Sequence, residues 1–203
     1  MTSYIPFIIL IIDDYIQTST GNIISRNSIL KNPQAVDLHN GKCVIYPECV
    51  LHGELASIKI DKYCIINTKC IFKPCTMISP HNNMKYISLS IGPYCYFGEN
   101  CVIESAVIGL GCHIGNNCCL GARTILKDHV FIESNTYIPS DMVIPPFAMV
   151  SGNPGRIVGY MSESAATTAR SVAMMRYKSF ILQSCSNSDA EVVAVDAKVE
   201  VVI

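Results

Sequence analysis

Eleven cysteines and five histidines are the residues of this 203-residue chain whose types could do chemistry. Thiolates and imidazoles hold metals, thiols cross-link, and a positioned histidine moves protons. Each use demands a spacing. A cysteine zinc site needs a CxxC or a nearby Cys/His pairing with zinc-like spacing; the chain has no CxxC, and no such site is expected. A disulfide framework belongs to short secreted chains with an even cysteine count, whereas this chain is long and its count is odd. The apolar stretch from Tyr4 to Ile12 lacks a basic leader and a small-residue cleavage site. It is also shorter than the roughly 20 residues that span a bilayer. It reads as a buried strand or helix start, and a reducing, intracellular compartment is expected.

Charge narrows the function classes further. Fifteen basic residues stand against sixteen acidic ones, for a net charge of −1. Nucleic acid and anionic membrane surfaces both call for concentrated basic charge, so neither is an expected partner. The chemistry-bearing residues therefore have to be understood through the elements that position them.

Those elements follow a six-residue period. An aliphatic residue recurs at Ile108, Ile114, Leu120, Leu126, Ile132, Ile138, Ile144 and Val150. Upstream the same rule gives Ile91, Phe97 and Ile103, and before them Ile45, Leu51, Ile60, Ile66 and Phe72. A deletion between Ile103 and Ile108 and an insertion between Phe72 and Ile91 break the phase. Side chains two apart on a strand share a face, so the aliphatic residue and the one two before it face inward. The three residues after it turn a corner. Glycine fills the next position at Gly92, Gly98, Gly109, Gly115 and Gly121, and is expected there for a left-handed backbone conformation. Three such steps, about 18 residues, make one triangular coil, and coils stack as in other solenoids. Ile108 then lies over Leu126 over Ile144, and Ile114 over Ile132 over Val150.

The period also places the thiols. The second inward position, four after each aliphatic residue, reads Cys49, Leu55, Cys64, Cys70, Cys95, Cys101, Val107, Cys112, Cys118, Thr124, Val130, Thr136, Met142 and Ala148. Seven cysteines share that position and are expected to act as small buried hydrophobes. Cys43, Cys75, Cys119 and Cys185 fall outside it and receive no role.

The expected fold is thus an all-β solenoid, a parallel β-helix of hexapeptide repeats shaped as a triangular prism, with a C-terminal α-helix. Its left-handed winding is known of the class and is not visible in the spacing. Residues 1–40 form an N-terminal lead-in of short β segments. Residues 41–158 form the repeats, interrupted by a protruding loop at 73–90 that contains Pro74, Pro80 and His81. Residues 159–182 form the helix, over about Ser162 to Leu182, with Ala166, Ala169, Ala173, Tyr177, Phe180 and Ile181 on its apolar face. That face should pack back along the prism and cover a sheet edge. Residues 183–203 are a tail expected to be disordered or weakly β.

Two activities are common on this fold, and each requires its own residues. The stretch Ile45 to Glu54 resembles γ-class carbonic anhydrases, which hold zinc through three histidines. In register, those ligands fall on Lys73, Pro93 and Gly98, and the supporting residues on His52, Glu54 and Asn67. None of the first three replaces an imidazole. Hexapeptide acyltransferases use a histidine base, for which the candidates are His39, His52, His81, His113 and His129. His113 and His129 are expected on outward or corner positions in contact with solvent, and His81 is the least implausible base. No surrounding motif supports any of them. The sequence therefore assigns no catalytic, cofactor-binding or metal-binding residue. The alternative reading is a hexapeptide acyltransferase or γ-carbonic-anhydrase-like enzyme, which would be a homotrimer.

The flanking segments are more specific than the repeats. Asp14 to Thr18, Gly21-Asn22, Ser25-Arg26, His52 to Ala56, Val143 to Phe147 and Ser151 to Gly155 together resemble the dynactin subunit five family. The resemblance covers roughly Asp13 to Leu182. It implies a non-catalytic scaffold in the dynactin pointed-end complex, with neither cofactor nor metal. The implied neighbours are subunit six, the actin-related pointed-end protein and the large zinc-containing subunit, in a hetero-oligomer rather than a homotrimer. The implied setting is cytoplasmic and cytoskeletal, including centrosome or kinetochore. The implied role supports dynein–dynactin microtubule-based transport and attachment of endosome cargo, without direct membrane insertion. The contact surfaces expected from the sequence are a prism face, the 73–90 loop and the C-terminal helix.

Overall fold

Each six-residue step condenses into a two- or three-residue strand followed by a corner, and the strands sort onto three faces. A computed structural model describes residues 14–38, 40–78 and 84–186. The first face carries Ile23–Ser25, Val44–Ile45, Ile65–Ile66, Tyr96–Phe97, His113–Ile114, Phe131–Ile132 and Ala148–Ser151. The second carries Ile29–Lys31, Val50–His52, Ile71–Phe72, Val102–Ile103, Cys119–Leu120 and Tyr137–Ile138. The third carries Val36–Asp37, Ile58–Ile60, Leu89–Ile91, Val107–Ile108, Ile125–Leu126 and Val143–Ile144. All of these pair in parallel, and the second and third faces hold six strands each, one per coil. Antiparallel strands Tyr15–Gln17 and Arg156–Tyr160 border the two ends of the first face. The predicted stacks are present: Ile108 pairs with Leu126 and Leu126 with Ile144, while Ile114 pairs with Ile132 and Ile132 with Val150.

Several boundaries differ from the sequence reading. The coils begin at Ile23, not at residue 41, because Ile24 and Leu30 already lie over Ile45 and Leu51. A 3₁₀ turn at Pro33–Ala35 lengthens that coil and hides its phase. The 73–90 insertion contains an antiparallel pair of strands, Thr76–Ile78 with Met84–Tyr86, and His81 lies outside the described residues. The helix spans Ser164–Ser186, so the first residues of the expected tail are helical, while 187–203 lie outside the described residues. Residues 1–13, including the whole Tyr4 to Ile12 stretch, also lie outside them, as does His39. Two positions of the inward register are displaced. The shortened step after Ile103 turns Val107 outward, 41% exposed, and buries Ser105, whose hydroxyl lies 2.6 Å from that of Thr124. The longer step after Leu51 gives the inward place to Ile58 and leaves Leu55 half-buried.

The glycines after each aliphatic residue are explained by crowding rather than by backbone hand. The left-handed conformation falls two residues later, at Glu48, Tyr63, Lys69, Tyr94, Asn100, Asn117, Arg123, His129, Asn135, Asp141 and Phe147. A non-glycine residue held there costs about 1–2 kcal/mol, so the corners persist only because stacking fixes them. Gly98, by contrast, has ordinary φ, but a Cβ on it would stand 2.6 Å from the backbone carbon of Gly115 and would strike the Asn116 side chain. The coils approach each other so closely at that position that only glycine fits.

The thiols do more than fill volume. Cys43, Cys64 and Cys95 donate to the carbonyls of Asp61, Gly92 and Gly109 on the following coil, at 3.0, 3.2 and 3.1 Å. Cys49, Cys70, Cys101 and Cys118 do the same to Asn67, Gly98, Gly115 and Glu133, at 2.9 to 3.1 Å. Cys112 donates to Lys127 at 3.2 Å. These carbonyls follow the aliphatic position and point into the prism, where a buried acceptor without a donor is costly. Burial pushes the Cys64 and Cys95 thiols up, which keeps them protonated and able to donate. Cys43, two before Ile45, is thus an eighth member of the repeat position, and Cys75 is buried outside it.

Two substitutions test this account. Gly98→Ala should lower stability by about 2–3 kcal/mol, because backbone has to move to admit the methyl group. Cys95→Ala, which keeps the backbone but removes the donor and leaves a small void, should cost about 1–2 kcal/mol. Urea unfolding midpoints at constant m-value check both.

Candidate docking surface and the helix-covered face

The residue before each aliphatic position points outward, and its chemistry differs from face to face. On the first face this column reads Ile23, Val44, Ile65, Tyr96, His113 and Phe131, and the C-terminal helix covers it. Phe180 meets Tyr15 and Tyr46 edge-on at 5.2 and 5.4 Å, and Tyr177 meets Tyr63 edge-on at 5.8 Å. The Tyr177 hydroxyl donates to the Gly21 carbonyl at 2.6 Å. Ala173, Tyr177 and Phe180 are buried as the helical spacing predicts. The helix therefore shields a sheet face and not the sheet edge that was expected. The reason is the apolar outward column, which needs a cover along its length.

On the second face the outward column reads Ile29, Val50, Ile71, Val102, Cys119 and Tyr137, apolar on every coil. Nothing among the described residues covers it, and Ile29 and Tyr137 are 55% and 38% exposed. Six rungs at the spacing of sheet strands make a flat strip about 24 Å long. The third face is mixed: Asp37, Lys59 and Ser90 lead, and only Val107, Ile125 and Val143 are apolar. The strip on the second face has polar borders. One corner carries the asparagine ladder Asn100, Asn117 and Asn135, joined side chain to side chain at 3.1 and 3.2 Å. The opposite border carries Lys31 with Glu54 at 3.4 Å and Lys73 with Glu104 at 3.1 Å. Arg123 grips Asp141 with two nitrogens at 2.6 Å each and donates to the Thr76 carbonyl at 2.8 Å, which ties the hairpin to this border. An apolar centre inside a polar rim is the anatomy of a protein-binding patch.

Three of the five histidines, His52, His113 and His129, lie within the described residues. His52 pairs with Glu54 at 2.8 Å on the surface. His113 and His129 are not in open solvent, contrary to the sequence reading, because the helix and neighbouring rings enclose them. His113 is stacked between Tyr96 and Phe131, at 4.7 and 4.8 Å. Burial, aided by the Arg176 charge, pushes its pKa down to about 4, so it is neutral and a feeble base at pH 7. His129 is buried on a corner and stacks on Phe147 at 5.2 Å. At the positions equivalent to zinc ligands, the Lys73 ammonium is held by Glu104, and Gly98 abuts the next coil. Among the described residues no group of three or more His, Cys, Asp or Glu could hold a metal ion, and no helix is long and apolar enough to cross a membrane.

Period-six strands on three parallel faces, with inward aliphatic and thiol columns, define a hexapeptide-repeat left-handed β-helix. A crystal structure of a hexapeptide transferase family protein from Anaplasma phagocytophilum superposes with a TM-score of 0.59 over 85% of this chain and 96% of that one. At 12% identity it shares the fold alone. The family model described as Dynactin subunit 5 matches residues 7–185, and the chain belongs to that family. A Dictyostelium discoideum relative named Dynactin subunit 5 is 36% identical over 95 residues, 47% of each chain, so the match spans about half of that relative's length.

The environment of His113 predicts a pH effect. Its folded pKa lies below the unfolded value of 6.5, so it stabilises the fold above pH 6.5 and loses that contribution as pH falls from 6.5 towards 4. The loss should be about 1–3 kcal/mol. Melting temperature should drop less over that window in His113→Phe than in the wild type. An equal drop in both would show that His113 is not the group responsible.

Proposed function

We propose that the chain is a non-catalytic scaffold of the dynactin pointed-end complex, and that its second face is the surface on which a neighbouring subunit docks. Family membership supports the first half, and the apolar strip on all six coils, uncovered among the described residues, carries the second. A rigid prism presents that strip already ordered, so binding loses little conformational entropy. The rim supports specificity of position, and its pairs Lys31–Glu54, Lys73–Glu104 and Arg123–Asp141 are made within the chain. The hairpin, fastened by Arg123, extends the same border and belongs to the docking surface in this reading.

In this role the chain sits in a hetero-oligomer with other pointed-end subunits, of which subunit six, the actin-related pointed-end protein and the large zinc-containing subunit are the proposed neighbours. It works in the cytoplasm on the cytoskeleton, supporting dynein–dynactin transport and endosome attachment through the assembled complex. Catalysis has no part in it in this reading, consistent with a neutral, ring-stacked His113 and a His52 hydrogen-bonded to Glu54.

Affinity capture from cell extract tests the proposal. The wild-type chain should bring down dynactin subunits in stable stoichiometry. The double variant Ile71→Glu with Tyr137→Glu should lose at least one of them by tenfold or more, because two carboxylates would have to be desolvated in the contact. Its melting temperature should stay within a few degrees of wild type, since both side chains are already exposed. Recovery of a homotrimer with no dynactin relative, or undiminished capture by the double variant, would refute the reading.

A further inference from the structure

The C-terminal helix covers the first face unevenly. Its C-terminal half seats Tyr177 and Phe180 against the rings of Tyr15, Tyr46 and Tyr63. One stripe of its N-terminal half, Ala165, Thr168, Val172 and Arg176, stands off from the outward column Tyr96, His113 and Phe131 instead. Between the two lies a cavity of about 380 Å³, within the size range of small-molecule sites. Towards the corner of the third face the space is closed. There His129 and the Ala169 methyl crowd Gly111, and Arg170 lies over the Tyr94 ring at 5.7 Å.

The floor decides what shape fits. Tyr96 and His113 stack at 4.7 Å and 6°, and His113 and Phe131 at 4.8 Å and 4°, so these rings meet face to face and turn their edges to the helix. The other face of Tyr96 is taken by the Arg176 guanidinium, 4.0 Å from its centroid. Such a floor suits a flexible chain laid across three rungs, about 10 Å, better than another ring. The walls ask for little polarity. Thr168 donates to the Ser164 carbonyl at 3.2 Å, and the Ser162 and Ser164 hydroxyls lie 2.6 Å apart, so these groups are satisfied within the chain. Arg176 differs. Stacking fixes its plane and leaves its N–H fork open, and no carboxylate among the described residues lines the cavity. We infer that the cavity binds a medium-chain aliphatic carboxylate, its head on the Arg176 fork and its chain across the edges of Tyr96, His113 and Phe131. The tail then runs beneath Val172 and Ala165 towards Met161, which also lines the space. Burial of the chain supplies most of the affinity, and the charged pair sets its direction. This site is on a different face from the docking strip, and it stands or falls independently of the scaffold role.

Calorimetry on the full chain at pH 7 tests the site with octanoate, butanoate and 1-octanol. Octanoate should bind saturably with Kd on the order of 100 µM. Butanoate, which lacks half the chain, and 1-octanol, which lacks the charge, should each bind roughly tenfold more weakly or worse. Arg176→Gln should weaken octanoate about tenfold and leave 1-octanol unchanged. Val172→Phe, or Ala165→Leu should the first fail to fold, fills the space and should abolish octanoate binding. Absence of octanoate saturation below about 1 mM, equal affinity for octanoate and 1-octanol, or unchanged affinity in a folded plugged variant would overturn the assignment.

Discussion

The distance between one coil and the next is the constraint on which this molecule depends. Parallel strands must sit one hydrogen-bond spacing apart on all three faces at once, and at five corners that leaves no room for a side chain, although Tyr46, Lys73, Glu104 and Lys127 carry one at the equivalent step of other corners. Gly92, Gly98, Gly109, Gly115 and Gly121 meet the crowding, and each would place a Cβ within 3 Å of the coil above. The same closeness turns the carbonyls of these residues towards the lumen, within reach of a thiol on the preceding coil. Cysteine suits that position because it combines small volume, easy burial and a donor. Alanine would supply the first two alone. Where the donor changes, the packing changes with it, as in the Ser105 and Thr124 pair at the shortened step.

Much of this architecture was legible because a period of six leaves few alternatives. Once Ile108, Leu126 and Ile144 are seen at equal spacing, their stacking follows, and so does the burial of the seven cysteines found in phase. The corners were less legible. Glycine after an aliphatic residue suggests a left-handed backbone, but the strained conformation belongs to residues such as Tyr63, Tyr94 and Phe147, which no propensity would select. Stacking on their neighbours, and not local preference, holds them there. The first coil escaped notice because the Pro33–Ala35 turn lengthens its third side, even though Ile24 and Leu30 keep the six-residue step.

The docking strip and the enclosed histidines show two different limits. The strip could have been found: Ile29, Val50, Ile71, Val102, Cys119 and Tyr137 each precede an inward position, and reading that outward column by face separates it from Lys59 and Ser90. The enclosure of His113 and His129 could not. Their positions in the repeat are outward, and only the path of a helix about 50 residues further on decides that they are covered. Period tells where a side chain points, whereas burial depends on what later lies across it.

The antiparallel strands at the two ends of the first face carry one more consequence. A prism of stacked parallel rungs resembles a short segment of cross-β fibre, and an exposed terminal rung is a template on which another copy could grow. Tyr15–Gln17 and Arg156–Tyr160 run against the repeats and offer a hydrogen-bonding pattern that a parallel rung does not match. They act as terminators of the first face alone, since the second and third faces end on parallel rungs.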